Sequence, residues 1–413
     1  MSDFQKPTIK NRDVVFVGFP FLYPIGSNSK DLSLQFEKEN RILYVNIPLS
    51  GKDFKMENPP PHLQNRIDIQ NGLKPGLSKI GDHYWILEPR FVTIPHNGIK
   101  FPFLFDFINW INNKRYAGFI AEAIKELGFK DIIIFSDQSI YHSFYLKEFL
   151  KPDWFIYYER DYLQGVDYFK HHGSRLEPKI IGKSDIVLNN STFLQEFTSK
   201  YNPNSYFVGQ GCDLSLFDYS KDYALPEDLR NLNRPIIGYV GALVSHRLDI
   251  DLLIHIAKAN SAWSLVLVGP EDEVFESSEL HLLPNVYFFG IKSVDVLPGF
   301  IKHFDVCINP QIMNPVTIGN YPRKIDEYLA IGKPVVALKT VAMKDFENYS
   351  YLAITKEEFV SQIIRALKEN TPELEKKRSE FAGQHTWENS FQLISDAFFK
   401  ENEKRKSNIT SGL

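Results

Sequence analysis

The chain has 413 residues, of which 43% are hydrophobic and 24% are charged, and its formal net charge is −4 at pH 7. This length predicts two or three domains, and this composition is typical of a globular protein. The small negative charge gives no reason to expect nucleic acid as a partner. Cys212 and Cys307 lack the spacing of a metal site or a disulfide scaffold, which favours a reducing cytoplasm as the compartment.

The N-terminus is polar and no apolar run reaches about 18 residues, so the sequence predicts neither a secretory signal nor a membrane-spanning helix. One aromatic stretch, KFPFLFDFINWINNKRYAGF (100–119), has two interpretations. It can lie on the inner face of the cell membrane, with Lys100, Lys114 and Arg115 near lipid headgroups. A helix packed on the sheet of its own domain is the commoner arrangement, and we favour it.

Short apolar segments alternate with helical patterns along the first half of the chain. Polar residues at 27–29 predict a helix start, residues 50–80 predict an inserted loop, and a longer helix is expected at 107–127. The expected strands are 13–19, 41–47, 83–89, 131–137, 154–160 and 184–190. This alternation is typical of parallel βαβ units.

A second series of the same kind follows a polar linker at 218–233. Helices are expected at 250–258 and 321–332, and three more helical stretches close the chain, the last at 388–400. The expected strands are 234–241, 264–270, 285–290, 304–310 and 334–340. The sequence therefore predicts an α/β protein with two doubly wound, Rossmann-like domains.

The predicted domain limits follow from these two series. They are 1–220 for the first domain, 234–384 for the second, 385–403 for a C-terminal helix and 404–413 for a tail. Doubly wound sheets bind ligands at the carboxyl ends of their strands. We therefore expect the active site in a cleft between the two domains.

The segment YPRKIDEYLAIGKPVV (321–336) is the main candidate for a functional site. Its pattern predicts a helix that ends at Gly332 and leads into a strand, with Lys324 and Glu327 on one face. The loop before it contains Gly319 and leads to the helix N-terminus, where free N–H groups and the helix dipole favour a phosphate. A solvated Lys–Glu pair on a surface helix explains the same pattern equally well.

The same segment resembles the donor-site signature of the family 4 (group 1) glycosyltransferases, P-x-K-x-x-E-Y-L-A-x-G-x-P-V-V. Further similar segments are SDIVLNNSTFLQEF (184–197), VGQGCDLSLF (208–217), GYVGALVSHRLDIDLL (238–253), LVLVGP (265–270), LPNVYFFG (283–290) and FDVCINP (304–310). Bacterial enzymes of teichuronic-acid or capsule assembly are the most similar subgroup. The resemblance implies the GT-B fold, in which a C-terminal helix crosses back to the first domain.

The resemblance also implies roles for single residues. Glu327 falls on the glutamate that binds the nucleotide ribose, and Lys324 on a lysine that contacts phosphate or sugar. Arg247 falls on a phosphate-loop lysine, and a guanidinium can bind diphosphate in a bidentate way. The donor-binding residues expected in addition are Gly241, Gly269, Pro270, Thr317, Ile318, Gly319 and Asn320. Gly319 stands where the family often carries a first glutamate beside the donor sugar, so the sugar stays open.

In the first domain, GFPFLYPIGSNS (18–29) occupies the place of the family's acceptor-side loop. Gly18 and Gly26 permit a close backbone approach to a ligand, and Ser27 adds a polar side chain. An ordinary connection between a strand and a helix explains this loop equally well.

Acidic residues follow the strand expected at 154–160. Asp161 or Glu159 can orient an acceptor hydroxyl or act as a base. The alternative is an acidic loop that caps the next helix. His142 is a weaker candidate at the same edge, because a lone histidine is more often structural.

Asp249 and Asp251 resemble the D-x-D metal motif of the other major glycosyltransferase fold, but here they open a helix, where aspartates serve as caps. No cluster of His, Cys and Asp has the spacing of a metal site. We therefore expect no metal, and no cofactor beside the nucleotide-sugar donor.

These patterns predict an enzyme that moves a sugar from a UDP- or GDP-sugar to a polysaccharide or lipid-linked glycan acceptor. Arg247, Lys324 and helix-terminal N–H groups would stabilise the departing diphosphate. Retention of anomeric configuration is implied by the resemblance only. Two alternatives stay open: a non-catalytic nucleotide-sugar-binding scaffold, which Gly319 favours, and a sugar-nucleotide epimerase of the same fold. An NAD dehydrogenase is disfavoured because no G-x-G-x-x-G opens either domain.

Overall fold

The computed structural model describes residues 6–22, 28–314, 317–319 and 321–411. The chain forms two compact units. Unit 1 comprises residues 1–211 and 387–413, and unit 2 comprises residues 212–386. Each unit contains one largely parallel sheet with helices on its faces, so the α/β prediction is confirmed.

The sheet of unit 1 is built on buried apolar strands. Their bounds are Asp13–Gly18 (β1), Arg41–Asn46 (β2), Leu77–Lys79 (β3), Tyr84–Leu87 (β4), Ile133–Asp137 (β5), Trp154–Glu159 (β6), Ile186–Asn189 (β7) and Ser205–Phe207 (β8). The strands lie in the order β3-β4-β2-β1-β5-β6-β7-β8, and only β3 pairs antiparallel, with β4. Every residue of β1, β5 and β6 is buried, because helices cover both faces of the sheet.

The helices of unit 1 connect these strands. Their bounds are Asn28–Glu37 (α1), Gly51–Phe54 (α2), Pro61–Gln70 (α3), Pro102–Leu127 (α4), Leu146–Leu150 (α5), Asp167–Lys170 (α6), Gly173–Lys183 (α7) and Thr192–Thr198 (α8). The prediction of a plain loop at 50–80 is wrong, because α2, α3 and β3 lie there. A buried ion pair anchors α3, since Arg66 donates to both oxygens of Glu88 at 2.7 and 2.8 Å.

Unit 2 has the same construction. Its strands are Ile236–Val240 (β9), Ser264–Val268 (β10), Val286–Phe288 (β11), Val306–Asn309 (β12), Val335–Leu338 (β13) and Tyr351–Ala353 (β14). They are parallel and lie in the order β11-β10-β9-β12-β13-β14. Its helices are Ile250–Ala259 (α9), Glu273–Glu276 (α10), Leu297–His303 (α11), Arg323–Ala330 (α12), Lys356–Glu369 (α13) and Pro372–Ala382 (α14). The strand order reverses beside β9, which creates a switch point between β9 and β12.

The limits of the two units differ from the predicted ones. The segment that the sequence suggested as a linker belongs to unit 2, because its Leu229 is buried in the core of that unit. The backbone of Cys212 pairs with the other end of unit 2, where its amide donates to the His385 carbonyl at 3.0 Å. Both ends of unit 2 are therefore held together.

The C-terminal helix, Trp387–Ser411 (α15), belongs to unit 1, which confirms that the chain crosses back. Its Phe391 ring packs 4.7 Å from that of Phe36 on α1. The prediction that the helix ends near 400 and that a tail follows is wrong for the described residues. Arg405 holds the last turns, since it lies 4.0 Å from the Trp154 ring centroid and donates to the Asp153 carbonyl at 2.8 Å.

Candidate functional site

Three loops meet at the carboxyl edge of the sheet in unit 2, after β9, β10 and β12. The Leu243 amide donates to the Pro270 carbonyl at 2.7 Å, which joins the first two loops. The Ile312 amide donates to the Arg247 carbonyl at 2.8 Å, which joins the first loop to the third. The three loops, which include the predicted positions Gly241, Arg247 and Pro270, thus form one connected surface at the switch point of the sheet.

Two glycines turn the backbone at this edge. Gly241 and Gly269 have φ angles of +143° and +151°, which side chains other than hydrogen rarely tolerate. A Cβ at Gly269 would lie 2.0 Å from the Gly241 carbonyl oxygen. A Cβ at Gly241 would lie 2.9 Å from the Lys324 Nζ. Both positions therefore need glycine, so that the loops can pack against each other and against Lys324.

Helix α12 carries the predicted Lys–Glu pair and is fixed to the end of β9. The Val240 amide donates to the Tyr328 hydroxyl at 2.9 Å, and this hydroxyl donates to the Val240 carbonyl at 3.2 Å. Lys324 donates to the Tyr239 hydroxyl, and its Nζ lies 4.3 Å from the Tyr239 ring centroid. The helix ends as predicted, with Gly332 in the left-handed region at φ +85°. These contacts place the Lys324 ammonium directly beside the Gly241 turn.

Glu327 lies one turn further along α12 and is mostly buried. Burial raises the pKa of its carboxyl group, and the positive charges of Arg323 and Lys324 oppose this shift. The Arg323 Nε lies 3.9 Å from a Glu327 oxygen, which is too long for a hydrogen bond. Among the described residues none donates a hydrogen bond to this carboxylate, whose oxygens can therefore accept from ligand hydroxyls.

A buried polar cluster behind this pair was missed by the sequence reasoning. Asp326 is fully buried, and its carboxylate is hydrogen-bonded to the Tyr321 hydroxyl at 2.8 Å and to the His385 Nδ1 at 2.6 Å. Burial raises the Asp326 pKa, and the contact with His385 opposes the shift. The cluster fixes the inner face of α12 to the end of unit 2. No spacing rule signals it, because His385 lies 59 positions after Asp326.

The loop before α12 differs from its prediction in one respect. The amides of Thr317 and Ile318 donate to the Asn314 carbonyl at 3.1 and 3.0 Å. They are therefore not free N–H groups for a phosphate, as the sequence suggested, because the loop closes on itself in a turn around Asn314. Gly319 is described, whereas Asn320 lies outside the described residues.

Arg247 lies in the loop after β9, and its side chain is exposed. Among the described residues, no carboxylate or hydrogen-bond acceptor contacts its guanidinium group. Its backbone, in contrast, is fixed by the bond to Ile312. An exposed guanidinium on a fixed backbone can bind an anion without first breaking an ion pair.

Both aspartates at the start of α9 have partners within unit 2. The Asp249 side chain accepts from the Leu252 amide at 2.8 Å, which confirms the capping interpretation. Lys356 lies 3.6 Å from Asp251. Within the described parts of the chain, no group of three His, Cys, Asp or Glu residues could hold a metal ion.

In unit 1, the predicted Asp161 belongs to a series of charged side chains that are linked by hydrogen bonds. Its carboxylate accepts from the Arg160 Nη1 at 2.8 Å, and the Arg160 Nε donates to Asp137 at 2.9 Å. Gln138 links the same loops, because the Asp161 amide donates to its side-chain oxygen at 3.0 Å. Asp161 is thus an ion-paired carboxylate with a partly exposed side chain. Arg160 and Gln138 were not predicted, since nothing in their local sequence marks them.

Glu159 is not available as a base. It is fully buried, and the Gln138 Nε2 donates to it at 2.7 Å. Burial, together with the negative charge of Glu177, raises the pKa of Glu159 well above its usual range. Burial also raises the pKa of Glu177 to about 7. One buried oxygen of each carboxyl group has no hydrogen-bond partner in the described structure, which is consistent with a pair that shares a proton.

A cavity of about 220 Å³ lies at the carboxyl edge of this sheet. It is lined by Gly18, Phe19, Ile47, residues 137–142, Tyr168 and Phe169. His142 is among the lining residues, and burial lowers its pKa to about 4, so the imidazole is neutral at pH 7. Asp137, Ser139 and Tyr141 each have a buried side-chain oxygen without a partner in the described part of the chain. The cavity can therefore accept a ligand that supplies hydroxyl groups.

A larger cavity of unit 1, about 810 Å³, lies at the opposite edge of the sheet, and none of the predicted site residues lines it. The predicted acceptor-side glycine Gly18 has a packing role, since its Cβ would lie 2.6 Å from the Ser29 Oγ. Gly26 and Ser27 lie outside the described residues.

The sequence is similar to those of known glycosyltransferases. Residues 234–369 match a family model described as "Glycosyl transferases group 1". TuaH of Bacillus subtilis (strain 168), named as a teichuronic acid biosynthesis glycosyltransferase, is 25% identical over 231 residues, which cover 53% of this chain. The match spans 57% of TuaH, so little more than half of that relative is represented.

Solved structures are similar over nearly the whole chain. A sucrose-phosphate synthase from Thermosynechococcus elongatus has a TM-score of 0.64 at 16% identity, covering 94% of this chain and 99% of that one. HepE of Anabaena in complex with UDP-glucose has a TM-score of 0.63 at 16% identity, with the same coverage. A trehalose 6-phosphate synthase from Burkholderia multivorans has a TM-score of 0.63 at 11% identity, covering 97% and 100%. These likenesses confirm the predicted GT-B fold.

Proposed function

We propose that the chain is a group 1 glycosyltransferase, as the match of residues 234–369 to that family model supports, and that it transfers a sugar from a UDP- or GDP-sugar to a polysaccharide or lipid-linked glycan acceptor. The observation that carries the proposal is the position of Lys324 beside the Gly241 turn, which packs on the Gly269 turn, with Glu327 one turn further along the same helix. The name of TuaH supports a polymeric acceptor, and UDP-glucose bound to HepE supports a nucleotide-sugar donor.

We propose that Glu327 binds the ribose of the donor. A carboxylate with open acceptor positions can bind the two ribose hydroxyl groups at once. The burial that raises its pKa also excludes competing water, which strengthens such hydrogen bonds. Tyr328 and Asp326 on either side of Glu327 in sequence hold the helix in place, so that little motion is needed when the donor binds.

We propose that Lys324 and Arg247 bind the diphosphate of the donor. In the transfer, the bond between the anomeric carbon and the phosphate oxygen breaks, and a bond from the acceptor oxygen to the anomeric carbon forms. Negative charge grows on the leaving diphosphate, and the two cations stabilise it. The proton of the acceptor hydroxyl leaves with the diphosphate or passes to a base. In line with the family resemblance, we propose that the anomeric configuration is retained and that no metal takes part.

The acceptor side of the proposal rests on unit 1. The unpartnered oxygens of the 220 Å³ cavity suit the hydroxyl groups of a sugar. Asp161, held by Arg160, can orient one acceptor hydroxyl or receive its proton. The free and buried state of Cys212 and Cys307 supports a reducing compartment, so we place the reaction in the cytoplasm.

The test is the hydrolysis of the donor in the absence of an acceptor. The protein is incubated with UDP- and GDP-sugars, and the released nucleotide is measured by chromatography. We expect slow release with one donor class, which Glu327→Ala abolishes and Glu380→Ala, on an exposed face of α14, leaves unchanged. If the protein binds nucleotides but turns over no donor with any acceptor, the result would instead favour the non-catalytic scaffold. Gly319, at the place of the family's first glutamate, is the residue that favours this alternative.

A further inference from the structure

Helix α4 has an exposed aromatic face besides its buried one. The buried face packs on the sheet through residues such as Phe105, Tyr116 and Ile120, as the sequence predicted. The other face leaves Phe103, Phe107 and Trp110 exposed by 75%, 59% and 38%. We call the exposed residues Phe101, Phe103, Leu104, Phe107 and Trp110 the aromatic ridge.

The spacing makes the ridge continuous. Residues 103 and 107 are four positions apart and residues 107 and 110 are three positions apart, so their side chains lie on the same face of the helix. Phe101 and Phe103 pack against each other, with ring centroids 6.2 Å apart. Single exposed apolar residues are ordinary, but several adjacent ones mark a contact surface.

Cations border the ridge. Lys100 precedes it, and the Lys114 Nζ lies 5.0 Å from the Trp110 ring centroid, one turn further along the helix. Between positions 89 and 121 the one acidic residue is Asp106, and Arg175 neutralises it through two hydrogen bonds of 2.9 and 2.7 Å. The segment that carries the ridge therefore has a net positive charge.

We propose that the aromatic ridge binds the surface of an anionic lipid bilayer. Aromatic side chains beside lysines are the composition of a helix that lies in the interface, where rings enter the headgroup region and ammonium groups meet lipid phosphates. None of the helices in the described residues, α4 included, is long and apolar enough to cross a membrane. The contact is therefore peripheral.

The ridge is joined to the wall of the 220 Å³ cavity within unit 1. The Asn97 side chain donates to the Tyr168 carbonyl at 3.0 Å, and the His171 Nε2 is hydrogen-bonded to the Lys100 carbonyl at 3.2 Å. Tyr168, together with Phe169, lines the cavity. If the proposed function holds, a lipid-linked acceptor in the bilayer reaches the cavity from this side. The binding of the bilayer itself does not depend on the transferase activity.

The test is sedimentation of the full chain with vesicles. One set contains equal parts of phosphatidylglycerol and phosphatidylcholine, and the other contains phosphatidylcholine alone. We expect the natural chain to bind the anionic vesicles. The variant Phe103→Ser/Phe107→Ser/Trp110→Ser should bind them at least about tenfold more weakly. Lys100→Glu/Lys114→Glu should lose the preference for anionic vesicles. The matched control replaces three exposed apolar residues of unit 2, Leu282→Ser/Ile291→Ser/Val294→Ser, and should bind as the natural chain does.

Two results would overturn the proposal. One is equal sedimentation of the natural chain and the triple ridge variant. The other is a dimer of the natural chain in size-exclusion chromatography that the ridge variant converts to monomer, since the ridge would then bind a second copy. Donor hydrolysis, measured on the same proteins without vesicles, separates the two proposals. A ridge variant that hydrolyses the donor normally shows that its fold and donor site are intact.

Discussion

The hydroxyl group of Tyr328 offers a test of how α12 is fixed to the sheet. Tyr328→Phe keeps the ring and creates no cavity, but it removes the hydroxyl that bonds both the amide and the carbonyl of Val240. A buried amide then loses its partner, which costs about 1–3 kcal/mol. The pair of glycine turns and Lys324 adjoin this end of β9, so we also expect weaker nucleotide binding.

The assay is denaturant unfolding followed by fluorescence, together with titration by the donor nucleotide. We expect the midpoint to fall with the slope unchanged, which indicates a change in stability alone. Tyr349→Phe is the matched control, because its ring stacks on Phe381 while its hydroxyl has no hydrogen-bond partner in the described residues. Equal stability of the two variants, within about 0.5 kcal/mol, would refute the reasoning.

Further substitutions test the charges. Lys324→Met should weaken nucleotide-sugar binding about tenfold, a loss of about 1.4 kcal/mol measured by calorimetry, because one phosphate contact is lost. Arg247→Lys keeps the charge but not the bidentate geometry, and should lower turnover more than it lowers binding. Gly269→Ala should abolish both nucleotide-sugar binding and turnover, since its Cβ would overlap the Gly241 carbonyl oxygen. Because burial raises the Glu177 pKa from its ordinary 4.5 to about 7, the free energy of unfolding should fall as pH rises across that window, and Glu177→Gln should flatten the fall.

Binding by Lys324→Met equal to that of the natural chain would remove the lysine from the donor site. Equal effects of Arg247→Lys on binding and turnover would show that its contact forms before the transition state. An unfolding free energy that rises from pH 5 to pH 7 would reverse the sign assigned to the buried carboxyl pair.

Most of the sheet could be predicted because its strands are buried on both faces. Each of β1, β5, β6 and β9 contains a run of at least three apolar or aromatic residues or of such residues with glycine, and this pattern is recognisable without knowledge of the neighbouring strands. The three-residue strands β8 and β14 were missed, because so short a segment carries little periodicity, whereas the equally short β11 lies within the apolar stretch expected at 285–290. Helix α3 was missed because its anchor, the pair of Arg66 and Glu88, joins residues 22 positions apart.

The candidate site, too, could be predicted only in part. The positions of Lys324 and Glu327 on one helix follow from helical spacing, and the resemblance added the role of each. The partners of this helix could not be predicted, since Lys324 contacts Tyr239, 85 positions earlier, and Asp326 contacts His385. The sequence also suggested free amides in the loop before α12, but a local turn around Asn314 uses those of Thr317 and Ile318.

The binding of a ribose by Glu327 is the central claim, and a comparison of nucleotides tests it most directly. UDP and GDP, each with and without the 2′ and 3′ hydroxyl groups, are titrated into the natural chain and into Glu327→Ala. We expect the natural chain to bind the complete ribose more tightly, and we expect this preference to disappear in Glu327→Ala. A preference that persists unchanged in the variant would contradict the assignment of the ribose to Glu327.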